Sequence, residues 1–237
     1  MVLIPAGEFV MGSANDPLAF GNESPQHLVS LDAFWMDQYE VTNARYAQCV
    51  AARACPPPVQ LRSNTRAHYY DNAEFADFPV IYVRWVDANA FCTWTGKRLP
   101  GEAEWEKAAR GPNGNLYPWG NVFDLTRVNS AEGRANDTAR IGSYPNGVSI
   151  YGAFDMAGNV SEWVNDYYQS DYYRVSPALN PPGPLSALPR SESMGIMRGG
   201  AWLNDRQSVR SAFRLGYWQR HNWYEAGFRC AMGETGQ

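Results

Sequence analysis

The sequence predicts a loop-rich α+β domain with short strands and two or three helices. The chain has 21 glycines and 16 prolines among 237 residues, which indicates many turns and few long regular elements. Helical periodicity is confined to short stretches of the first half, whereas residues 112–195 are turn-rich and aperiodic. Because 45% of the residues are hydrophobic, the chain can bury a sizeable core, and we expect a single domain over residues 1–237.

The N-terminal elements are predicted to be short strands. Residues 4–13, IPAGEFVMGS, alternate apolar and polar side chains and end in Gly-Ser, a pattern typical of a strand and a turn. Residues 27–42, HLVSLDAFWMDQYEVT, predict a second pair of short strands.

Two helices are predicted to follow. The first begins with Thr42 or Asn43 as the N-cap and ends before CPPP at residues 55–58. Residues 78–100 begin as a buried strand and continue into a second helix, for which Asp87 is the predicted cap and Gly96 the stop.

A third, compact helix is predicted within residues 100–111, PGEAEWEKAARG. It starts with a proline and acidic residues in its first turn and ends at a glycine. We expect Trp105 and Ala108 to face the core, while the charged residues form a solvated face, as in most amphipathic helices. Those charged residues are Glu102, Glu104, Glu106 and Lys107.

The long aperiodic stretch at residues 112–195 needs an explanation. Structureless segments of this length inside one domain are normally held by a metal ion, a disulfide or a dense network of side chains. The Pro- and Ser-rich segment at residues 176–193 is predicted to be a surface loop of the domain and not a linker between domains.

Composition excludes two classes of partner. The net charge is −4, the pI is about 5.4, and the basic residues are scattered, so we expect no nucleic-acid binding. No apolar stretch reaches the 18 or so residues of a membrane span, so we expect no membrane insertion. The N-terminus has neither a basic head nor a long apolar region, so no signal peptide is visible, and the cellular location stays open.

The chain contains four cysteines, at positions 49, 55, 92 and 230, and no Cys-x-x-Cys motif. A zinc site built on cysteine pairs and a thioredoxin-like motif therefore have little support. Cys49 and Cys55 could close a small loop, and Cys92 and Cys230 could tie the tail to the middle of the chain. Spacing alone leaves four reduced, buried cysteines as an equal alternative.

Seven segments together resemble the formylglycine-generating enzymes and sulfatase-modifying factors, whose fold is a variant of the C-type lectin fold. In chain order they are IPAGEFVMGS, DQYEVTNARYAQCV, the run FPVIYVRWVDANAFCTWTGKRLPGEAEWEKAARG, YPWGN, YGAFDMAGNVSEWVNDYY, RGGAW and GFRC. They extend from residue 4 to 230, so the resemblance implies this fold for nearly the whole chain.

The resemblance argues against an enzyme. Oxidase members use two cysteines after the RGG turn to bind copper and oxidise a substrate cysteine. Here Asn204 stands near the first expected cysteine, and none follows before Cys230. Another branch uses an iron-binding histidine motif, but His27, His68 and His221 are scattered. A divergent enzyme is the alternative, and a pocket on which Arg206, Arg210, Arg214 and Asp205 converge would favour it.

The resemblance also implies a disulfide and a metal. Cys92 and Cys230 match positions that are disulfide-bonded in relatives. The segment DMAGNVSEWVND matches a structural calcium site, whose ligands would be Asp155, the carbonyls of Gly158 and Val160, and Glu162. The alternative is an ion-free loop held by hydrogen bonds of Asn159. A weaker second calcium site would use Asn129, the Ser130 carbonyl and a later aspartate such as Asp137.

The C-terminal stretch at residues 198–230 has an unusual composition. Only SVRSAFR, residues 208–214, alternates like a core strand. The rest combines Trp, Tyr, Arg and Asn, which is typical of binding surfaces, where aromatic side chains give contact area at low entropic cost.

This stretch resembles the variable region of the variable proteins of diversity-generating retroelements, in which adenine-directed mutation changes Asn codons. The resemblance implies a non-catalytic ligand-binding protein with a diversified surface at residues 199–230. An invariant accessory binding domain is the alternative. Residues reachable from Asn codons are Leu203, Asn204, Asp205, Ser208, Phe213, Leu215, Gly216, Tyr217, His221, Asn222, Tyr224 and Ala226. Residues that are not reachable, and so would be fixed, are Gln207, Trp218, Gln219, Trp223 and Glu225, of which Trp218 and Trp223 are expected to touch the ligand.

The expected partner is a protein, because the surface is long and aromatic. Carbohydrate would stack on the same rings and is the alternative.

Overall fold

The computed structural model describes residues 1–14, 16–186 and 188–234. These residues form short strands and three α-helices, as the sequence predicts. The helices are α1 (Asn43–Ala51), α2 (Trp85–Trp94) and α3 (Glu102–Arg110). The strands are β1 (Val2–Ile4), β2 (Gly7–Met11), β3 (His27–Leu31), β4 (Phe34–Met36), β5 (Ser161–Tyr167), β6 (Met194–Arg198), β7 (Arg214–Trp218), β8 (Ala226–Phe228) and β9 (Ala231–Gly233).

The strands form three sheets. Strands β2 and β3 make an antiparallel hairpin, which confirms the strand pattern predicted near the N-terminus. The order β1-β4-β9 joins the two ends of the described chain in one sheet. The third sheet has the order β7-β6-β5-β8, in which only β5 and β8 run parallel, and it positions the C-terminal stretch.

Helix α1 begins as predicted, because Oγ1 of Thr42 accepts a hydrogen bond from the backbone N–H of Arg45 at 3.3 Å. For α2 the predicted cap is wrong. Asp87 lies one turn inside the helix, and its carboxylate reaches back to the backbone N–H and the side chain of Arg84. The strand predicted before α2 is absent from the described residues, since only an isolated bridge joins Pro79 to Thr42.

Two clusters form most of the core. One lies between α3 and strands β2 to β4 and contains Trp105, Phe9 and Met36. The other surrounds α1 and α2 and contains Trp163 and Phe228.

Both cysteine pairs form disulfides. Cys49 and Cys55 close the turn after α1, with Cα atoms 5.4 Å apart. Cys92 of α2 is bonded to Cys230, with a Cα separation of 5.6 Å, so the C-terminal stretch is tied to the second core cluster.

The aperiodic region is held by side chains, one of the three predicted devices. The Asn159 amide donates to the Glu40 carboxylate at 2.6 Å, and its oxygen accepts from the Ala139 backbone at 2.8 Å. Asn129 donates to the Asp137 carbonyl at 3.0 Å. Strand β5, which lies at the centre of the four-stranded sheet, falls within this region and was not predicted from the sequence.

None of the helices in the described ranges combines the length and the apolarity that a bilayer span requires.

Candidate ligand-binding surface

The C-terminal stretch leaves β6 through a tight turn at Gly199 and Gly200, whose φ angles are +86° and +65°. A Cβ atom on Gly200 would lie 2.4 Å from the Ser208 carbonyl oxygen, and one on Gly199 would lie 3.0 Å from the Trp105 ring. Glycine is therefore required at both positions, by left-handed backbone as well as by close packing. The chain then runs through a compact turn to β7, along a loop at residues 219–225, and into β8.

Four arginines that flank these elements are buried and ion-paired. Arg214 bonds both oxygens of Glu102, at 2.6 and 2.9 Å, and Arg210 bonds both oxygens of Glu23, at 2.7 Å each. Bidentate pairs of this kind are the strongest form of arginine–carboxylate contact. We call this set the buried ion-pair network: Arg198, Arg210, Arg214 and Arg229 with Glu23, Glu102, Glu106 and Glu162.

Helix α3 supplies two acids of this network, so its predicted solvated face is wrong. Glu102 is 1% exposed and Glu106 is fully buried. Burial would raise the pKa of Glu106, but Arg198, Arg110 and the Gly12 N–H outweigh it and hold that pKa below its usual value. The charged side of α3 therefore faces arginines of β6 and β7 instead of water.

Among the described residues, the polar groups whose convergence would favour an enzyme do not meet in one place. Arg210 and Arg214 are buried in the network, whereas Arg206 is exposed and bonds Glu132 at 3.3 Å. Asp205 accepts hydrogen bonds from the backbone N–H groups of Gln207 and Ser208, both at 3.1 Å. These four groups therefore have separate structural partners.

Four aromatic residues between positions 217 and 224 are partly exposed to solvent. Trp218 at the end of β7 is 41% exposed, and the Arg220 guanidinium lies 5.6 Å from its ring centre. Tyr217 and Trp223 pack edge to face with ring centres 4.2 Å apart, and Trp223 and Tyr224 lie 6.2 Å apart. We call Tyr217, Trp218, Trp223 and Tyr224 the aromatic surface.

The aromatic surface rests on buried tryptophans. The Trp163 ring lies 6.3 Å from Tyr217, and the Trp202 ring lies 6.1 Å from Tyr224. Because Trp163 is fully buried and bonded to the Val83 carbonyl, the exposed rings are supported by a rigid layer.

Most residues expected to vary lie at or near the surface. Asn204 caps its own turn, because Oδ1 accepts the Ala201 N–H at 2.8 Å, and Phe213 packs on Phe20 of the N-terminal loop at 5.5 Å. Asp205 and His221 are exposed. The half-buried ones are Leu203, Asn204, Ser208, Phe213, Leu215, Gly216, Tyr217, Asn222 and Tyr224.

Two positions contradict the expectation. Ala226 is fully buried in β8 and belongs to the second core cluster, so it cannot touch a ligand. A Cβ atom on Gly216 would lie 2.6 Å from the Tyr168 ring, so only glycine fits there without a shift of that ring. Residues 208–214 alternate like a core strand in sequence, but the residues before Arg214 form turns and β7 starts there.

The residues expected to be fixed are mixed in environment. Gln219 and Glu225 are buried, and the Gln207 amide donates to the Leu18 carbonyl at 2.9 Å. Trp223 is half-buried against the core, whereas Trp218 is exposed. Sequence reasoning missed the supporting N-terminal loop, since its contacts with this stretch span about 190 residues of chain and leave no local signal.

The first predicted calcium site fits poorly. Both oxygens of Glu162 are bonded to Arg229, at 2.6 and 2.7 Å, and the Trp105 indole donates to one of them. Oδ2 of Asp155 accepts the Gly142 N–H at 2.7 Å. Calcium needs six to eight free oxygen ligands, so Glu162 would have to release Arg229 to bind it. Burial raises the pKa of Asp155 to about 6, with Glu162 adding to that rise and Arg229 opposing it.

The weaker calcium site fits in one atom. Oδ1 of Asn129 is buried without a hydrogen-bond partner, as an oxygen facing a cation would be. However, the Ser130 carbonyl accepts the Gly133 N–H, and Asp137 is bonded to Ser63 and Thr65. Within the described residues, no group of three or more His, Cys, Asp or Glu side chains is arranged to hold a metal.

The four cysteines are all consumed by the two disulfides, so the chain as folded has no thiol. The three histidines are apart: His27 packs on Tyr173, His68 lies beside Asp71, and His221 packs on Tyr217.

The family is shown by comparison with known proteins. The model described as sulfatase-modifying factor enzyme 1-like domain matches residues 1–233. The formylglycine-generating enzyme of Streptomyces coelicolor is 34% identical over 284 residues, which cover 97% of this chain and 88% of that enzyme. The protein of Bos taurus named inactive C-alpha-formylglycine-generating enzyme 2 is 30% identical, over 98% of this chain and 88% of the relative.

A further relative is much longer. The protein of Chlamydia trachomatis named serine/threonine-protein kinase Pkn1 is 36% identical over 249 residues, which cover 98% of this chain but only 38% of that protein. This chain therefore spans little more than a third of the chlamydial relative's length.

Two solved structures share the fold. PvdO from Pseudomonas aeruginosa superposes with a TM-score of 0.79 at 25% identity, over 97% of this chain and 92% of that one. Treponema denticola variable protein 1 superposes with a TM-score of 0.79 at 22% identity, over 98% of this chain and 94% of that one. The fold is the C-type lectin-like fold of the formylglycine-generating enzyme type, and the chain belongs to the sulfatase-modifying factor enzyme 1-like family, which includes active and inactive members.

Proposed function

We propose that this chain is a non-catalytic ligand-binding member of its family. The aromatic surface carries the proposal, because partly exposed rings on a buried tryptophan layer give a rigid contact area without reactive groups. The absence of a free thiol supports it, since the oxidase members act through cysteines. Binding on this surface would need no chemistry from the chain.

We propose further that the chain is a variable protein of a diversity-generating retroelement. The supporting observations are the surface location of most positions reachable from Asn codons and the similarity in fold to a protein named variable protein 1. Ala226 is buried and Gly216 is crowded, so we propose that these two positions are fixed and that the remaining positions reachable from Asn codons vary.

Sequencing of the genomic locus tests the second proposal. We expect a near-duplicate of the codons for residues 199–230 beside a reverse-transcriptase gene, with differences at adenines of the remaining predicted positions. Absence of any copy would overturn diversification and leave an invariant binding domain.

An activity assay tests the first proposal. The chain is incubated with copper, oxygen and a cysteine-containing peptide, and the peptide is analysed by mass spectrometry for conversion of its thiol to an aldehyde. We expect no conversion, because all four cysteines are in disulfides. Aldehyde formation would establish an enzyme.

A further inference from the structure

We propose that Tyr217, Trp223 and Tyr224, together with the buried carboxylate of Glu225, form a site for an organic cation, an ammonium or guanidinium group. This inference rests on the proposed binding function and specifies the chemistry of the ligand.

Glu225 differs from every other buried carboxylate of the described residues. Burial raises the pKa of Glu40, Asp155 and Asp166, but an arginine opposes that rise in each case. The remaining buried acids form ion pairs: Glu23, Asp37, Asp87, Glu102, Glu106, Asp137 and Glu162.

Within the part of the chain that the structure describes, Glu225 has no such cation. It is 5% exposed, and its Oε2 atom is buried without a hydrogen-bond partner. Burial raises the pKa of its carboxyl to about 7, and the neighbouring Trp223 indole opposes that rise without reaching hydrogen-bond geometry. A buried carboxylate in this state is costly unless a positive group compensates it.

The surroundings of Glu225 are aromatic. Glu225 directly follows Trp223 and Tyr224 in the loop, and Trp223 packs on Tyr217. Burial raises the pKa of the Tyr217 and Tyr224 hydroxyls, and the Glu225 charge adds to that rise. Nε1 of Trp223 is also buried without a partner. Faces of aromatic rings attract ammonium and guanidinium groups, and a carboxylate behind them adds to that attraction.

The two basic residues of the same loop, Arg220 and His221, make other contacts. Nε of Arg220 lies 3.2 Å from Nε2 of His221, and its guanidinium lies over Trp218. His221 packs on Tyr217 with ring centres 6.0 Å apart. Within the described residues, no hydrogen bond joins His221 to Glu225. The compensating charge is therefore left for a ligand to supply.

Calorimetric titration of the full chain tests the site. The probes are choline, blocked lysine and arginine amides, and the neutral alcohol in which carbon replaces the choline nitrogen. We expect at least one cation to bind at concentrations up to about 10 mM, the range of single weak contacts, and the neutral alcohol not to bind. Tighter binding of the blocked amides would identify a protein's basic side chain as the natural group, and tighter binding of choline a small quaternary ammonium.

Two variants and a control locate the interaction. Glu225→Gln keeps the shape and removes the charge, and we expect cation affinity to fall about tenfold or more. Tyr224→Leu keeps the charge and removes a ring, and we expect a similar loss. Glu74→Gln, at an exposed acid outside the surface, should bind like the parent. Thermal unfolding of each variant verifies that it is folded.

Three results would overturn the site: no cation binds the folded parent, the neutral alcohol binds equally well, or Glu225→Gln retains full cation affinity. None of these depends on the locus sequence or on the aldehyde assay, so failure of the cation site and failure of the proposed function are distinguishable.

Discussion

The arginines of the buried ion-pair network and the aromatic surface come from the same stretch of chain and have opposite environments. Arg210 and Arg214 are charged and buried, whereas Trp218 is apolar and 41% exposed. Each arginine has a bidentate glutamate partner, so its burial is compensated. Residue type therefore misleads here: the charged residues build the scaffold, and the aromatic residues are available for contact.

The comparison also explains how a surface can vary on a constant fold. The network joins α3, the N-terminal loop, β6 and β7 through side chains that point inward. Exchange of a residue on the outer side leaves those pairs intact. An interior residue such as Ala226 cannot be exchanged without disturbing the core, so Ala226 does not belong to the expected variable set.

The largest expected effect is loss of one network acid. Glu106→Gln leaves Arg198 and Arg110 buried beside a neutral amide, and we expect the free energy of unfolding to fall by about 3–5 kcal/mol. Urea unfolding measures it. The matched control is Glu132→Gln at the half-exposed pair with Arg206, where we expect a loss below about 1 kcal/mol. Equal losses in the two variants would contradict the distinction between buried and solvent-exposed ion pairs.

A second test compares two tryptophans of the same sheet. Trp163→Ala removes a fully buried ring, and we expect a loss of about 3–5 kcal/mol in unfolding free energy. Trp218→Ala should cost less than about 1 kcal/mol, because its ring is partly solvated already. If Trp218→Ala destabilised the fold as strongly as Trp163→Ala, the aromatic surface would have to be counted as core.

The third test uses pH. The carboxyl pKa of Glu225 is raised from 4.5 to about 7 in the folded chain, so between these values the folded state holds more protons than the unfolded state. Stability contributed by this group therefore falls as pH rises through that window. We expect Glu225→Gln to be more stable than the parent at pH 8 by on the order of 2 kcal/mol, with no gain at pH 4. If the difference in unfolding free energy between the variant and the parent did not change with pH, the pKa of Glu225 would not be raised in the folded chain.

The smallest expected effect is that of calcium. Because Glu162 is locked to Arg229, we expect calcium or a chelator to change the unfolding free energy by less than about 0.5 kcal/mol. Thermal unfolding in each condition measures the change. A large increase with calcium would show that Arg229 releases Glu162, and would support the metal expectation.

Local patterns predicted the elements that depend on near neighbours. Strands β2 and β3, the Thr42 cap of α1 and the bounds of α3 follow from alternation, capping and a terminal glycine within a few residues. The cap of α2 was misplaced by three residues, because Asp87 bonds Arg84 from inside the helix.

The family resemblance carried the prediction further than periodicity did. It implied the fold, and it implied the Cys92–Cys230 pair that spacing left open. The burial and pairing of the charged residues were not predictable in this way. The arginine partner of Glu102, for example, is 112 residues distant in sequence.

By itself, then, the sequence determined the class of fold, the three helices, the loop-rich middle and the aromatic character of residues 217–224. Only the tertiary structure decided which charges are buried, that Gly216 and Ala226 are constrained, and that Glu225 has no cation partner among the described residues. The physical reason is that secondary structure depends on residues a few positions apart, whereas burial and ion pairing depend on segments about 100 to 190 residues apart that meet only after folding.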